Sequence, residues 1–339
     1  MKLPIGKLDS EILQKIIFDN IIYRRDEVIT GAGIGEDCAT LDFGQLECVT
    51  STDPITASVK DVGRLSIHIS CNDIASNGIE PVAILLTVLL PEGTTESDVE
   101  TIMKQAAKAA ADCNVQIAGG HTEVTTAVNQ PVIVSTAFGR AVKGSSQTAK
   151  KMQPGDRIYV TKSLALEGTG IIAGEKGEAL IKAGILTAAE VSEAHTMLDR
   201  VSVVREGVIA GRIGTHGMHD ITEGGVLGAV WEMCDISSCG AVLYEDAMPL
   251  SDITKKLAAH FNFNPLRMIS SGSMLILAAP EKNGGTAEAL EKAMADAGIE
   301  LTLIGTVTEH GEKAKLVHKD GTEETVAAPS ADSIYTVLG

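Results

Sequence analysis

The chain reads DVGRLSIHISCNDIASNGIEP over residues 61–81 and continues as VAILLTVLL over residues 82–90. The first segment predicts a helix over residues 60–77, because apolar residues recur in it at helical spacing. These residues are Val62, Leu65, Ile69 and Ile74. The apolar run that follows predicts a strand buried on both faces. A helix that leads directly into a buried strand indicates an α/β or α+β fold.

The same alternation of helix and strand patterns extends on both sides of this segment. In the first half, the other predicted elements are a helix over residues 9–23, a strand over 46–52, a helix over 95–113 and strands over 115–118 and 131–141. In the second half, strands are predicted over residues 157–161, 241–244, 273–279 and 301–307, and helices over 166–173, 188–195, 199–210, 226–234, 251–260 and 284–297.

The composition shifts to Gly, Ser, Gln, Lys and Pro across residues 143–155, which is typical of a domain boundary. We therefore expect an N-terminal domain over residues 1–145 and a C-terminal α/β domain over residues 155–312. A small hairpin and tail over residues 313–339 is expected to complete the chain.

The 339-residue chain is strongly acidic, with a formal net charge of −17 at pH 7. A negative field of this size repels nucleic acid and anionic lipid surfaces, so neither is an expected partner. It also repels a nucleoside triphosphate unless cations neutralise the binding site. Carboxylates that converge on one cleft are therefore expected to hold cations.

The sequence predicts neither a membrane span nor a targeting segment. The longest apolar run, residues 82–90, is too short to cross a bilayer. The N-terminus lacks the basic and apolar arrangement of a signal peptide. The six cysteines form no C-x-x-C pair and no zinc spacing with histidine, which favours reduced thiols in a cytoplasmic protein.

Acidic residues follow glycines or strand ends at several places. The first place is GIGEDCA, residues 33–39, where Gly33 and Gly35 are expected to let the backbone approach a ligand beside Asp37. This motif also fits a plain acidic turn, and it is neither a Walker A loop nor a Rossmann fingerprint. The second place is Asp53, directly after the strand predicted over residues 46–52.

Two further acidic residues are associated with predicted helices. Asn72 and Asp73 lie inside the helix over residues 60–77, where a buried carboxylate is costly unless it is paired or binds a metal. An Asp73 side chain that is turned to solvent, or that is bonded to a local amide, is the alternative. In HDITEGG, residues 219–225, Asp220 precedes a helix whose first N–H groups suit a phosphate. An ordinary helix cap is the alternative there.

A fifth segment is GGHTE, residues 119–123, which follows the strand predicted over residues 115–118. A glycine pair at the end of a strand, followed by polar groups, is a frequent layout of a ligand-binding loop. A plain turn explains the segment equally well.

Carboxylate oxygens without a Cys/His cluster favour Mg²⁺ over zinc. Magnesium needs few protein ligands when phosphates supply the rest of its coordination. Aspartates dispersed along the chain therefore predict a Mg²⁺–nucleotide site formed from both halves, suited to phosphoryl transfer.

Taken together and in this order, the five motifs resemble the superfamily of AIR synthase, thiamine-monophosphate kinase, selenophosphate synthetase and the HypE hydrogenase maturation proteins. The resemblance covers nearly the whole chain, and it is closest to the HypE branch. It implies an AIR synthase-like architecture in which the N-terminal sheet or barrel domain forms a homodimer and the C-terminal α/β domain covers the site.

The resemblance also implies ATP and Mg²⁺ as cofactors near the dimer interface. By position, the implied metal and phosphate residues are Asp37, Asp53, Asp73 and Asp220. The further nucleotide-binding positions that it implies are Gly33, Gly35, Asn72, Gly119, Gly120, Thr222, Gly224 and Gly225.

Several residues depart from the HypE pattern. HypE proteins end in Pro-Arg-Ile-Cys, whereas this sequence ends SIYTVLG and has no cysteine after Cys239. The HypE branch has Asp and Lys where this chain has His121 and Glu123, and Glu where this chain has Ser271. We therefore do not expect the carbamoyl-tail dehydration of HypE. His121 and Glu123 are the candidate acid/base residues that face an acceptor, and a structural role is the alternative for His121.

Two functions fit these features. The first is an ATP- and Mg²⁺-dependent enzyme that transfers a phosphoryl group to activate a small-molecule acceptor, and the retained aspartates favour it. The second is a non-catalytic, nucleotide-binding assembly module with a maturation-type protein partner, and the altered site positions favour it.

Overall fold

The computed structural model describes residues 10–21, 25–56, 60–283 and 285–338, which form two β-sheets with helices packed against them. The first half of the chain builds a six-stranded sheet and the second half a seven-stranded sheet. This mixture of helices and sheets confirms the predicted fold class.

The first sheet has the strand order β1-β2-β3-β6-β4-β5. Its neighbouring strands are antiparallel except for β4 and β5, which are parallel because a helix connects them. The elements of this half are α1 (Ser10–Ile12), β1 (Val28–Thr30), β2 (Ala39–Phe43), β3 (Leu46–Ile55), α2 (Val62–Ser76), β4 (Pro81–Leu90), α3 (Glu96–Asp112), β5 (Gln116–Val124) and β6 (Val132–Val142).

Helix α2 lies between the first sheet and the second half of the chain, and nearly all of its residues are buried. Two glycines allow this close packing. A Cβ atom at Gly63 would lie 2.2 Å from the carbonyl oxygen of Ile102 in α3. A Cβ atom at Gly207, in the second half, would lie 2.2 Å from the carbonyl oxygen of Ala75. The helix that carries Asp73 is therefore held tightly from both sides.

The second sheet has the strand order β13-β12-β9-β11-β7-β10-β8, and its only parallel pair among the described residues is β12 with β9. Its strands are β7 (Arg157–Thr161), β8 (Gly217–Asp220), β9 (Cys239–Tyr244), β10 (Met274–Ala278), β11 (Leu301–His310), β12 (Ala314–Val317) and β13 (Glu323–Thr325). Its helices are α4 (Leu166–Lys182), α5 (Ala188–Thr196), α6 (Val204–Ile213), α7 (Gly225–Ser237), α8 (Asp252–Phe261), α9 (Thr286–Asp296) and α10 (Ser333–Leu338).

Several predicted elements differ in extent from the observed ones. The strand predicted over residues 46–52 continues as β3 to Ile55, so Asp53 lies inside the strand and not after it. The helix predicted over residues 166–173 continues as α4 to Lys182. The helix predicted over residues 9–23 is a succession of short α, π and 3-10 turns over residues 10–20, and Asp9 and Tyr23 lie outside the described residues. The strand predicted to end at residue 118 is wrong in length, because β5 continues through the glycine pair to Val124. A Cβ atom at Gly120 would lie 1.9 Å from the carbonyl oxygen of Leu86. The pair of glycines thus serves strand pairing instead of a turn.

The prediction that residues 82–90 are buried on both faces is also wrong. In strand β4, Ile84, Leu86 and Val88 are buried, whereas Leu85 is 39% exposed. The buried residues face α2 and α3, and the opposite face of the six-stranded sheet has no cover within the described part of one chain. We call this opposite face the outer face.

None of the described helices has the length and apolar character that a membrane span requires.

Candidate functional site

A cavity of about 1030 Å³ lies where β3 and α2 of the first half meet β8 and the segment around residue 270 of the second half. Four aspartates from distant parts of the chain line it together, and they are Asp37, Asp53, Asp73 and Asp220. The structure thus brings into one cavity all four aspartates that the sequence analysis assigned to a metal.

Asp73 is buried on helix α2 and accepts a hydrogen bond of 2.5 Å from the hydroxyl of Ser51 in β3. Burial, together with the nearby carboxylates of Asp220 and Asp53, raises the pKa of Asp73 well above its usual range. The carboxyl group is therefore destabilised in its charged form unless a cation joins it.

Asp220 ends strand β8 and is almost completely buried. Its backbone N–H donates to the hydroxyl oxygen of Ser76, and its Oδ2 atom has no hydrogen-bond partner among the described residues. Burial raises the pKa of Asp220 to about 6, although the neighbouring His219 lowers it. An unsatisfied buried carboxylate oxygen that faces a cavity is suited to a metal ion or a ligand donor.

His219 is a site residue that the sequence analysis did not select. Its Nε2 atom lies 3.1 Å from Glu232 Oε2 and 3.5 Å from Asp37 Oδ1, and its Nδ1 atom lies 2.7 Å from the backbone oxygen of Asp220. Burial lowers the pKa of His219, but the carboxylates of Asp37 and Glu232 outweigh burial and raise it to about 10. The only sequence signal was its position directly before Asp220.

Ligand atoms of Asp37, His219 and Asp220 lie within 4.8 Å of one another, a separation that one metal ion can bridge. The donor set is mostly carboxylate oxygen, which suits a hard divalent cation. The residues present therefore fit a bound divalent metal, and the unsatisfied Oδ2 atom of Asp220 is the observation that supports this fit.

Only some of the predicted nucleotide-binding residues lie at the cavity. Thr222 lines the cavity, and Gly35, Gly224 and Gly225 shape the backbone beside it with positive φ angles of 69°, 87° and 62°. Gly33 does not adopt a positive φ. Asn72 points away from the cavity. Its side-chain NH₂ group donates to the carbonyl oxygen of Val201, and its Oδ1 atom accepts from the backbone N–H of Val203.

The structure does not bring His121 and Glu123 to the cavity of their own chain. Their side chains are 64% and 47% exposed, and His121 Nε2 lies 3.3 Å from Glu123 Oε2. The register pairs His121 with Thr87 and Glu123 with Leu89, so both project from the outer face of the six-stranded sheet. Gly119 and Gly120 belong to the same edge strand.

The far wall of the cavity contains residues that the motif analysis missed. Glu167, in the first turn of α4, is buried, and its Oε2 atom has no partner in the described structure. Burial raises the pKa of Glu167 to about 7, although the nearby Ser271 lowers it. Tyr335 of α10 donates a hydrogen bond of 2.6 Å to Glu223. Glu167 and Tyr335 lie outside the motifs that the sequence analysis selected, so the sequence offered no local signal for them.

Two mixed α/β halves enclose a cleft lined with carboxylates, and a fold of this kind does not by itself define a function. The family model of the AIR synthase related protein N-terminal domain matches residues 35–141, and that of the C-terminal domain matches residues 153–317. The chain therefore belongs to the AIR synthase related protein family.

Individual relatives agree with this assignment. One relative is a protein of Methanocaldococcus jannaschii whose name assigns it to hydrogenase expression/formation. It is 28% identical to this chain over 284 residues, which cover 80% of this chain and 81% of that protein. The hydrogenase maturation protein HypE in complex with ATP has the same fold, with a TM-score of 0.72, 19% identity and 98% coverage of both chains. The HypE–HypF complex also matches, with a TM-score of 0.72, 19% identity and coverage of 94% of this chain and 99% of the other.

Proposed function

We propose that this protein binds ATP with Mg²⁺ in the aspartate-lined cavity and transfers a phosphoryl group to a small-molecule acceptor. The observation that carries this proposal is the convergence of Asp37, Asp53, Asp73 and Asp220 on one cavity. Carboxylates from four separate segments would repel one another without a cation, so their common position is best explained by a ligand that neutralises them.

The metal would be held by Asp37 and Asp220, with Asp53 and Asp73 close behind them. A divalent ion bound there supplies charge neutralisation for the phosphates and orients the group that is transferred. His219 Nε2 donates a hydrogen bond to Glu232 and lies 3.5 Å from Asp37 Oδ1, so it helps to keep both carboxylates in position. The hydroxyl of Ser51 donates to the carboxylate of Asp73, and the hydroxyl of Ser76 contacts both the backbone N–H and the Oδ1 atom of Asp220.

The ATP-bound HypE structure supports the nucleotide part of the proposal, because it shares this fold along nearly the whole chain. The acceptor side is less similar to HypE, since Ser271 and the pair His121–Glu123 replace the residues that the HypE pattern has. We therefore propose phosphoryl transfer without the HypE tail reaction.

We also propose that the outer face of the six-stranded sheet pairs with a second copy of the chain. Leu85 is exposed on this face. Thr52 and Thr136 lie on the same face, and they also line the cavity. Exposed apolar patches of this kind mark interaction surfaces. Because His121 and Glu123 project from the same face, they keep their proposed acid/base role only in such an assembly.

A second candidate function is a nucleotide-binding assembly module with a protein partner. The matched HypE–HypF complex favours it, because a protein of this fold is there bound to another maturation protein. In this case ATP would bind without turnover.

Calorimetric titration of Mg²⁺–ATP into the wild-type protein and into Asp53→Asn and Asp220→Asn tests the site. We expect binding to the wild type and affinities lowered by about tenfold or more in both variants. Unchanged affinity in both variants would contradict the proposal. Release of ADP in the presence of a panel of small hydroxyl and carboxyl acceptors then separates the enzyme from the assembly module, for which tight binding without turnover is expected.

A further inference from the structure

The residues that line the cavity are predominantly acidic. Its walls carry seven acidic residues, which are Glu36, Asp37, Asp53, Asp73, Glu167, Asp220 and Glu223. In the described part of the chain, no lysine or arginine lines the cavity, and His219 is its one basic residue. A second anionic ligand beside a nucleotide would therefore meet uncompensated repulsion, whereas a cationic group would be attracted.

Glu167 is placed for ligand recognition by the local backbone. Helix α4 begins after Ala165, whose backbone N–H donates 2.8 Å to the hydroxyl oxygen of Ser270. The backbone N–H of Gly168 donates to the carbonyl oxygen of Ile269. These two bonds hold the start of α4 against residues 269–271, so that Glu167 and Ser271 lie on the same wall.

Both polar groups on this wall lack a good partner. The Oε2 atom of Glu167 and the hydroxyl oxygen of Ser271 are buried and form no hydrogen bond of normal distance and angle with any described residue, although Ser271 faces Glu167 closely enough to lower its pKa. Two unsatisfied buried polar atoms side by side are uncommon in folded proteins, and they are explained when a ligand supplies the missing partner.

Apolar side chains surround this pair. Ile171 follows Glu167 by one helical turn and therefore lies on the same face of α4. Ile269 precedes Ser271, and Leu65 and Ile69 of α2 line the cavity as well. The ring of Tyr335 completes the wall, with its hydroxyl group committed to Glu223.

We propose that Glu167 and Ser271 form a subsite for the amine end of the acceptor, a small molecule with an ammonium head on a compact aliphatic body. An ammonium group has three donors and no acceptor, so it can bond both unsatisfied oxygens at once. The aliphatic side chains around the pair take the body of the molecule. As an acceptor site, this subsite rests on the proposed phosphoryl transfer, although its binding of amines does not require nucleotide.

Binding of n-butylammonium to the nucleotide-free protein tests the subsite, with butyrate and 1-butanol as comparators of equal chain length. For so small a ligand we expect a Kd of about 1 mM for the amine, by titration calorimetry or ligand-observed NMR. We expect weaker binding of the alcohol and none of butyrate. Absence of amine binding at several times this concentration, or equal binding of butyrate, overturns the proposal.

Glu167→Gln keeps the size of the side chain and removes its charge, and it should weaken butylammonium binding about tenfold or more. Glu178→Gln is the matched control, because Glu178 is exposed on the same helix outside the cavity. Equal amine affinity in Glu167→Gln and the wild type overturns the proposal. A thermal melt of both variants verifies that each is folded when binding is measured.

The two proposals can fail separately. Glu167→Gln should retain the Mg²⁺–ATP affinity of the wild type, and Asp53→Asn should weaken butylammonium binding much less than Glu167→Gln does. If the wild type does not bind nucleotide but binds the amine in a Glu167-dependent way, the proposed phosphoryl transfer is wrong and the amine subsite stands. If the wild type binds nucleotide but Glu167→Gln does not change amine binding, only the proposed subsite is wrong.

Discussion

The hydroxyl of Ser51 donates a hydrogen bond of 2.5 Å to Asp73 and so joins strand β3 to helix α2 inside the cavity wall. Both residues are buried, and both belong to the first half of the chain. The bond fixes a carboxyl group whose other neighbours are mostly carboxylates. It is therefore a structural support of the site as well as a part of it.

Replacement of Ser51 by alanine should lower the free energy of unfolding by about 1–3 kcal/mol, because a buried carboxyl group loses its donor. Chemical denaturation at pH 7 measures this change. Ser97→Ala serves as the control, since Ser97 is exposed at the start of α3, and it should change the stability by less than about 0.5 kcal/mol. Equal effects of the two substitutions would show that the bond to Asp73 contributes nothing.

The metal site could be anticipated from the sequence only as a set of residue types. Asp53 follows a predicted strand, Asp220 precedes a predicted helix, and Asp73 lies on an apolar helix, so each was recognisable as unusual. The sequence marked Ser271 only as a departure from the HypE pattern and did not mark Glu167 at all, because their unsatisfied atoms arise only when α4 packs against residues 269–271. Contacts between segments a hundred residues apart leave no local pattern.

The strands show a similar limit. The apolar run over residues 82–90 correctly indicated a strand, but the pattern cannot distinguish burial within the chain from burial by a second copy. The glycine pair at residues 119–120 resembled a turn, because close strand pairing and tight turns both select glycine. Pairing of β5 with β4 decides between them only in three dimensions.

Stability should depend on pH through Glu167. Burial raises its pKa to about 7 in the folded protein, above the ordinary value of 4.5, so the fold loses stability as the pH rises from 4.5 to 7 and carries the full penalty above pH 7. Glu167→Gln removes this penalty and should raise the free energy of unfolding by roughly 3 kcal/mol at pH 8. The difference should shrink as the pH falls through 7 and vanish near pH 4.5.

Urea denaturation of the wild type and Glu167→Gln between pH 4.5 and 8 measures this dependence, with Glu178→Gln as the exposed control. A variant that is less stable than the wild type at pH 8 would mean that Glu167 has a favourable partner in the folded state. In that case the carboxylate would be a structural group.

The outer face of the six-stranded sheet gives a prediction about assembly. Leu85→Glu places a charge on the exposed apolar part of this face and should convert a dimer into a monomer in sedimentation experiments at micromolar concentration. Ile181→Glu is the control, because Ile181 is 41% exposed on α4 in the other half of the chain. A wild-type protein that sediments as a monomer would contradict the proposed pairing.

Contact between the two halves of the chain holds α2, and with it Asp73, in place. Gly207 in α6 lies so close to Ala75 in α2 that an added Cβ atom would be 2.2 Å from its carbonyl oxygen and 2.7 Å from its carbonyl carbon. These are backbone atoms, which cannot rotate away. Gly207→Ala must therefore move one helix relative to the other, and it should lower the free energy of unfolding by about 1–3 kcal/mol.

Gly174→Ala is the matched control in another helix. The nearest atom to an added Cβ there is His195 Nδ1 at 3.5 Å, an ordinary contact, so the substitution should stabilise the protein by about 0.5–1 kcal/mol through helix propensity. Because Gly207 touches α2 at Ala75, two residues after Asp73, Gly207→Ala should also weaken Mg²⁺–ATP binding, whereas Gly174→Ala should not. If Gly207→Ala proves as stable as Gly174→Ala, the two halves are not packed as closely as this contact requires.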